Sequence, residues 1–95
     1  MRESQIEAYL VKRVKELGGE CRKVQWVGRN SAPDRVVLVP WTYAIWVEVK
    51  NPETILTFPA DARERAQARE HKRMRALGQR VEVIGTIEGV EELLK

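Results

Sequence analysis

The feature that most constrains this chain is a pair of β-branched and aromatic runs, Asp34-Arg35-Val36-Val37-Leu38-Val39 and Ala44-Ile45-Trp46-Val47-Glu48-Val49-Lys50, with turn formers between and around them. That composition predicts two antiparallel strands joined as a hairpin. Side chains alternate along a strand, so Glu48 and Lys50 share one face with Trp46 and Ala44, while Val47 and Val49 take the other. If Val39 pairs with Tyr43 around a three-residue loop, Pro40-Trp41-Thr42, Asp34 lies opposite Glu48. A two-residue loop slips the register by one and separates them. The odd loop is the expectation, and it brings two carboxylates and an ammonium to one end of the hairpin.

Both faces of the second arm read as buried. A Glu and a Lys on such a strand need partners, because buried charge is costly unless paired or metal-bound. The plain alternative is a solvated strand end with Pro33-Asp34 as an ordinary turn entry. The hairpin residues alone leave both readings open.

Ninety-five residues predict one small domain over 1–95, with one sheet and two or three covering helices. Lys and Arg total 17 against 14 Asp and Glu, a net charge of +3 that permits nucleic acid without demanding it. The single Cys21 excludes an intramolecular disulfide, a zinc knuckle and a cysteine-ligated iron–sulfur cluster. Its flanks predict a buried or half-buried thiol in a strand. No apolar run approaches membrane length, and Met1-Arg2-Glu3-Ser4 leads into an amphipathic helix rather than a signal peptide, so an intracellular protein without a membrane partner is expected.

Ile6, Leu10, Val14 and Leu17 recur at helical spacing and Gly18-Gly19 stops them, predicting a helix over Ser4–Leu17. Glu7 lies at the edge of that stripe. It also completes a capping box with Ser4, its plain structural role. Cys21–Val27 reads as the first strand, entering the polar loop Gly28-Arg29-Asn30-Ser31. Arg22, Lys23 and Arg29 are candidates to meet phosphates, or are solvated surface. After Lys50, Asn51-Pro52 breaks the strand, and Ile55, Leu56 and Phe58 in the irregular stretch 53–59 read as a lid, a dimer contact or packing on the sheet. Ala60–Leu77 is helical with Gly78 as its C-cap, and Gln67, His71 and Met74 share its inner face. Its remaining faces are charged and suit water, with i,i+4 pairs for support. Val81–Ile84 is a short strand, and Ile87–Leu94 a last helix. The expected fold is α/β, in the order α-β-β-β-α-β-α, a mixed sheet with helices on its faces.

Pro33-Asp34 followed by Glu48-Val49-Lys50 at the end of the next strand resembles the PD-(D/E)xK signature of metal-dependent nucleases. The ordered set over nearly all of the chain is similar to the virus-type replication-repair nuclease (VRR-NUC) domain. That set comprises an N-terminal helix from Glu3 to Leu17-Gly18-Gly19, Ala32-Pro33-Asp34-Arg35, Val47-Glu48-Val49-Lys50-Asn51, the helix with Gln67 ending at Leu77-Gly78, and Val81-Glu82-Val83-Ile84 before a final helix. The resemblance implies a restriction-endonuclease-like core and a divalent cation, Mg²⁺ or Mn²⁺, held by Asp34, Glu48 and the Val49 carbonyl. Glu7 is its best match for a first-helix acid that reaches the metal, with Glu3 the rival. Lys50 is implied beside the attacking water, and Gln67 as a residue orienting substrate or water. His71 reads as a packing residue rather than a catalyst.

The resemblance further implies DNA as substrate, in branched replication and repair intermediates, and the cytoplasm of a bacterium or phage-infected host as location. A four-way junction needs two symmetric cuts, so a homodimer is expected, with Trp26, Trp41, Tyr43 and Phe58 as contact candidates or core filling. Two competing readings are a non-catalytic nucleic-acid-binding or assembly module on the same fold, and a nuclease selecting flaps or sequence.

Overall fold

Ile6, Leu10 and Val14 are the residues of the first helix that the fold removes completely from water. In the structure, a computed structural model describing residues 1–95, they seat α1 (Glu3–Glu16) on one face of a four-stranded sheet. β1 (Glu20–Lys23) pairs antiparallel with β2 (Arg35–Leu38), which pairs antiparallel with β3 (Ile45–Val49), and β3 runs parallel to β4 (Arg80–Ile84). The parallel pair requires a crossover, supplied by α3 (Ala62–Ala76). The order β1-β2-β3-β4 with one parallel pair makes the expected mixed sheet. α4 (Ile87–Leu93) returns beside α1. No helix is long and apolar enough to cross a membrane.

The two faces of the sheet differ in chemistry. Val37, Ile45, Val47, Val49 and Ile84 meet α1 and the Val90, Leu93 and Leu94 side chains of the C-terminal segment in one apolar core. Each such side chain contributes roughly 1.5–3 kcal/mol by leaving water. The alternate residues Trp46, Glu48 and Lys50 turn to the opposite side, where α3 buries Glu64, Gln67, Glu70, His71 and Met74. Both faces of β3 are therefore covered, as its composition predicts, but only one is a hydrocarbon core.

Several boundaries depart from expectation. α1 begins at Glu3, where the Arg2 amide donates to Gln5 Oε1 at 2.7 Å, so Gln5 makes the capping contact expected of Glu7. β1 stops at Lys23, with the Val24 amide donating to the Asp34 carbonyl at 3.1 Å, rather than continuing to Val27. Its antiparallel partner β2 begins at Arg35, opposite Lys23, so beyond the Val24–Asp34 bond no strand remains for it to pair with. After β3, Asn51 Oδ1 accepts from the Glu53 and Thr54 amides at 2.9 and 2.8 Å and starts a one-turn helix, α2 (Thr54–Thr57). The expected stops at Gly18 and Gly78 hold, with φ of +83° and +86°. In each case the next residue's amide reaches back into the helix, Gly19 to the Val14 carbonyl and Gln79 to the Met74 carbonyl.

Candidate active site

The hairpin register is the odd one: Arg35 faces Val47, Val36 faces Trp46 and Val37 faces Ile45. The strands themselves end at Leu38 and resume at Ile45, so the connection is longer than three residues, although the pairing is as expected. Extended one step, this register sets Asp34 across from Glu48. Opposite Val49 would stand Pro33, and there a side chain takes over from the backbone ladder, as Asp34 Oδ2 accepts the Val49 amide at 2.7 Å. That bond fixes the Asp34 carboxyl against the strand carrying Glu48.

Glu48 is 2 % exposed and Lys50 3 %. Glu48 Oε1 lies 3.2 Å from His71 Nε2. With Glu48 ionised, the carboxylate accepts the Nε2 proton of the imidazole; with Glu48 protonated, the carboxyl donates to Nε2. Burial, aided by the nearby Arg75 and Lys50 cations, pushes the His71 pKa down to about 4 and keeps the ring neutral. Phe58 stacks on the same ring with centroids 5.9 Å apart. Lys50 Nζ donates to Gln67 Oε1 at 2.9 Å, pairs with Glu64 Oε2 at 3.1 Å and sits 5.1 Å from the Phe58 ring centroid. Of the three readings open for the 53–59 stretch, packing therefore describes Phe58, while Leu56 is exposed.

Burial is the main reason both carboxyls are reluctant to ionise. The Asp34 pKa rises to about 7 through burial and then the adjoining Glu48, with the Val49 amide opposing. Glu48 is also raised by burial, with Asp34, Lys50 and Arg63 pulling back. Two acidic side chains thus stand together in a dehydrated corner. Lys50, the nearest buried cation, already has its own carboxylate in Glu64.

The first helix places its acids differently from expectation. Glu7 Oε2 receives Arg35 Nε at 2.7 Å, a half-buried pair on the α1 side of the sheet. Arg35 follows Asp34 by one residue and so points to the opposite face, taking Glu7 with it. Glu3, the rival, feels Asp34, Lys50 and Arg63, and burial raises its pKa. No group of three or more His, Cys, Asp or Glu side chains is placed to hold a metal ion. Asp34 and Glu48 are the two carboxyls brought together here, and neither first-helix acid joins them as a third.

The expected phosphate contacts also shift. Arg29 pairs with buried Glu70 at 2.6 Å, and Trp26 Nε1 donates to the other oxygen of Glu70 at 2.9 Å, so both serve to pin the loop to α3. Arg22 pairs with Glu20 at 2.6 Å, whereas Lys23 is exposed and forms no ion pair. A cleft of about 460 Å³ opens instead between the Asn30–Ala32 loop and α3, lined by Asn30, Ser31, Asp34, Arg63 and Gln67.

Three groups escaped the sequence reading. Glu64 looked like part of a charged surface helix, but its Oε1 accepts the Ala60 amide at 2.8 Å and its Oε2 holds Lys50. Its helical phase with Gln67, at i and i+3, was the available signal. His71 packs as expected but also bonds Glu48, which the shared face with Gln67 hinted at. Arg63, one turn before Gln67, lines the cleft.

A mixed α/β sheet with paired carboxylates and a lysine at the ends of a central hairpin defines a PD-(D/E)xK nuclease core. A solved structure described as a VRR_NUC domain superposes with a TM-score of 0.79, at 34 % identity over 97 % of this chain and 92 % of that one. The candidate nuclease p44 of Acyrthosiphon pisum secondary endosymbiont phage 1 is 38 % identical over 84 residues, covering 88 % of this chain and 83 % of the phage protein. No family model matches the chain. On these relationships the chain belongs to the VRR-NUC family of nucleases.

Proposed function

We propose that the chain is a Mg²⁺- or Mn²⁺-dependent DNA endonuclease selective for branched replication and repair intermediates, cutting four-way junctions as a homodimer within a bacterial or phage-infected cell. Residues 1–95 act in this reading as one catalytic unit. The observation that carries it is the convergence of Asp34, Glu48, Lys50 and Gln67 at one end of the sheet beside an open cleft.

The donor chemistry fits a hard divalent cation. Burial raises the pKa of both carboxyls, Glu48 adds to the rise at Asp34, and a Mg²⁺ site needs only one or two carboxylates because the ion keeps several waters. Asp34, Glu48 and the Val49 carbonyl would hold it. Bound there, the ion supplies neutralisation of phosphoryl charge and acidification of water. Every other part belongs to the chain. Asp34 is aimed by the Val49 amide and Glu48 by His71, so neither must reorganise when substrate arrives. The Lys50 ammonium, fixed by Glu64 and Gln67, stands ready to offset charge on the phosphoryl oxygens or to hydrogen-bond the attacking hydroxide. Gln67 spends its oxygen on Lys50 and keeps its amide NH₂ for a phosphate or water oxygen in the cleft. Glu3 is the first-helix acid better placed to act through water. Trp41 and Tyr43 are the exposed aromatics left for a dimer contact, since Trp26 is bonded to Glu70 and Phe58 covers Lys50.

Cleavage of labelled four-way junction, 5′ flap and linear duplex with Mg²⁺, Mn²⁺ or EDTA tests the reading. Paired symmetric nicks confined to the junction and abolished by EDTA are expected. Flap cutting alone would move the substrate assignment, and binding without cutting under every metal would favour the non-catalytic module.

A further inference from the structure

We propose that Arg63 is a phosphate-binding residue at the mouth of the cleft, gripping a backbone phosphate of the nucleic acid next to the one beside Asp34. The inference rests on the reading that this cleft takes DNA, and it names a contact that reading lacks.

Arg63 is the sole basic residue lining the cleft, and it is exposed. The other cations near the site are committed, Lys50 to Glu64 and Gln67, and Arg29 to Glu70. Arg63 makes no ion pair. Its position on α3 is informative. Arg63, Gln67 and His71 follow one another at intervals of one helical turn, so the same face runs from solvent at Arg63 through Gln67 to the His71–Glu48 contact. An anion entering along this face meets carboxylates at the far end. The guanidinium at the entrance supplies the opposing charge, and its planar fork suits two oxygens of one phosphodiester. Asn30 and Ser31 form the facing wall, with polar side chains and no charge to compete.

The test is equilibrium binding of a fluorescent four-way junction in EDTA across a KCl series, for wild type, Arg63→Ala and Arg63→Lys, followed by steady-state cleavage with Mn²⁺. Arg63→Ala should weaken binding about tenfold at fixed salt and lower the log–log salt slope by about 0.9, the signature of one lost phosphate contact. Arg63→Lys should keep the slope while binding more weakly than wild type, since an ammonium retains charge without the fork. In cleavage, the loss in Arg63→Ala should fall mainly on KM. Matching slopes and affinities in wild type and Arg63→Ala would overturn the inference, and wild-type cleavage in the same experiment would leave the nuclease reading standing. A slope change without any cleavage would support the contact while ending the nuclease reading. Absence of DNA binding by wild type would overturn both. Because Arg63 is exposed and unbonded, matched thermal melts are expected for all three proteins.

Discussion

His71 and Glu48 meet through Nε2 and Oε1 at 3.2 Å, each almost wholly shut off from water, so a neutral imidazole orients an acidic side chain from the opposite layer of the fold. A partner of this kind commonly changes metal affinity or activity by about 10–100-fold when removed. His71→Leu should therefore lose activity in that range, and His71→Gln, which restores a donor, should recover part of it. Equal activity in wild type and His71→Leu would reduce the contact to packing.

The same histidine shapes acid stability. Its pKa is about 4 in the folded chain against 6.5 when unfolded, so between those values the unfolded state binds more protons. Its contribution to stability is complete above about pH 6.5 and is lost as the pH falls toward 4. His71→Gln should be disfavoured relative to wild type at pH 7 and gain on it steadily down to pH 4, as read by urea unfolding at each pH.

Asp34 has the opposite sign. Its pKa is raised from 3.8 to about 7, so ionisation costs stability progressively as pH rises across that interval. Asn at this position still accepts the Val49 amide and can donate to Glu48. In EDTA at pH 8, Asp34→Asn should be more stable than wild type by ~2 kcal/mol or more, roughly 10 °C in Tm, with the gain shrinking toward pH 4. A lower Tm than wild type at pH 8 would contradict the proposed charge crowding.

Metal affinity separates ligands from bystanders. Calorimetry with Mn²⁺ should show binding lost in Asp34→Ala and Glu48→Ala but largely retained in Lys50→Ala. Glu7→Gln should also retain it, while losing about 1 kcal/mol of stability as the Arg35 pair is broken. Unchanged affinity in Asp34→Ala would refute its assignment as a ligand.

The hairpin shows why part of this site could be read from sequence. Alternation fixes the faces of Val47, Glu48, Val49 and Lys50 without knowledge of any neighbour, and an odd register then carries Asp34 to Glu48. The helix stops at Gly18 and Gly78 were legible for a similar reason, since a left-handed residue is a local requirement. Gln67 could be placed because helical phase puts it in line with His71 and Met74. What stayed hidden depends on which element lies over which face. Glu64 and Glu70 resemble their solvated neighbours on α3, and only the descent of that helix onto Lys50, Trp26 and Arg29 makes them interior groups. Glu7 pairs with Arg35 instead of facing Asp34 because Arg35 has the phase of the α1 face, and that phase was not weighed beside the match of Glu7 to a first-helix acid. That phase was available from the alternation that placed Asp34.

Whether Asp34, Glu48 and Lys50 form one metal-dependent phosphodiesterase site is decided by single-turnover cleavage of a four-way junction in Mn²⁺ by wild type and Lys50→Ala. Wild type should cut in a manner that EDTA abolishes, and Lys50→Ala should lose at least ~100-fold in rate at matched Mn²⁺ occupancy. Equal rates in the two proteins, or wild-type cutting that survives EDTA, would contradict it.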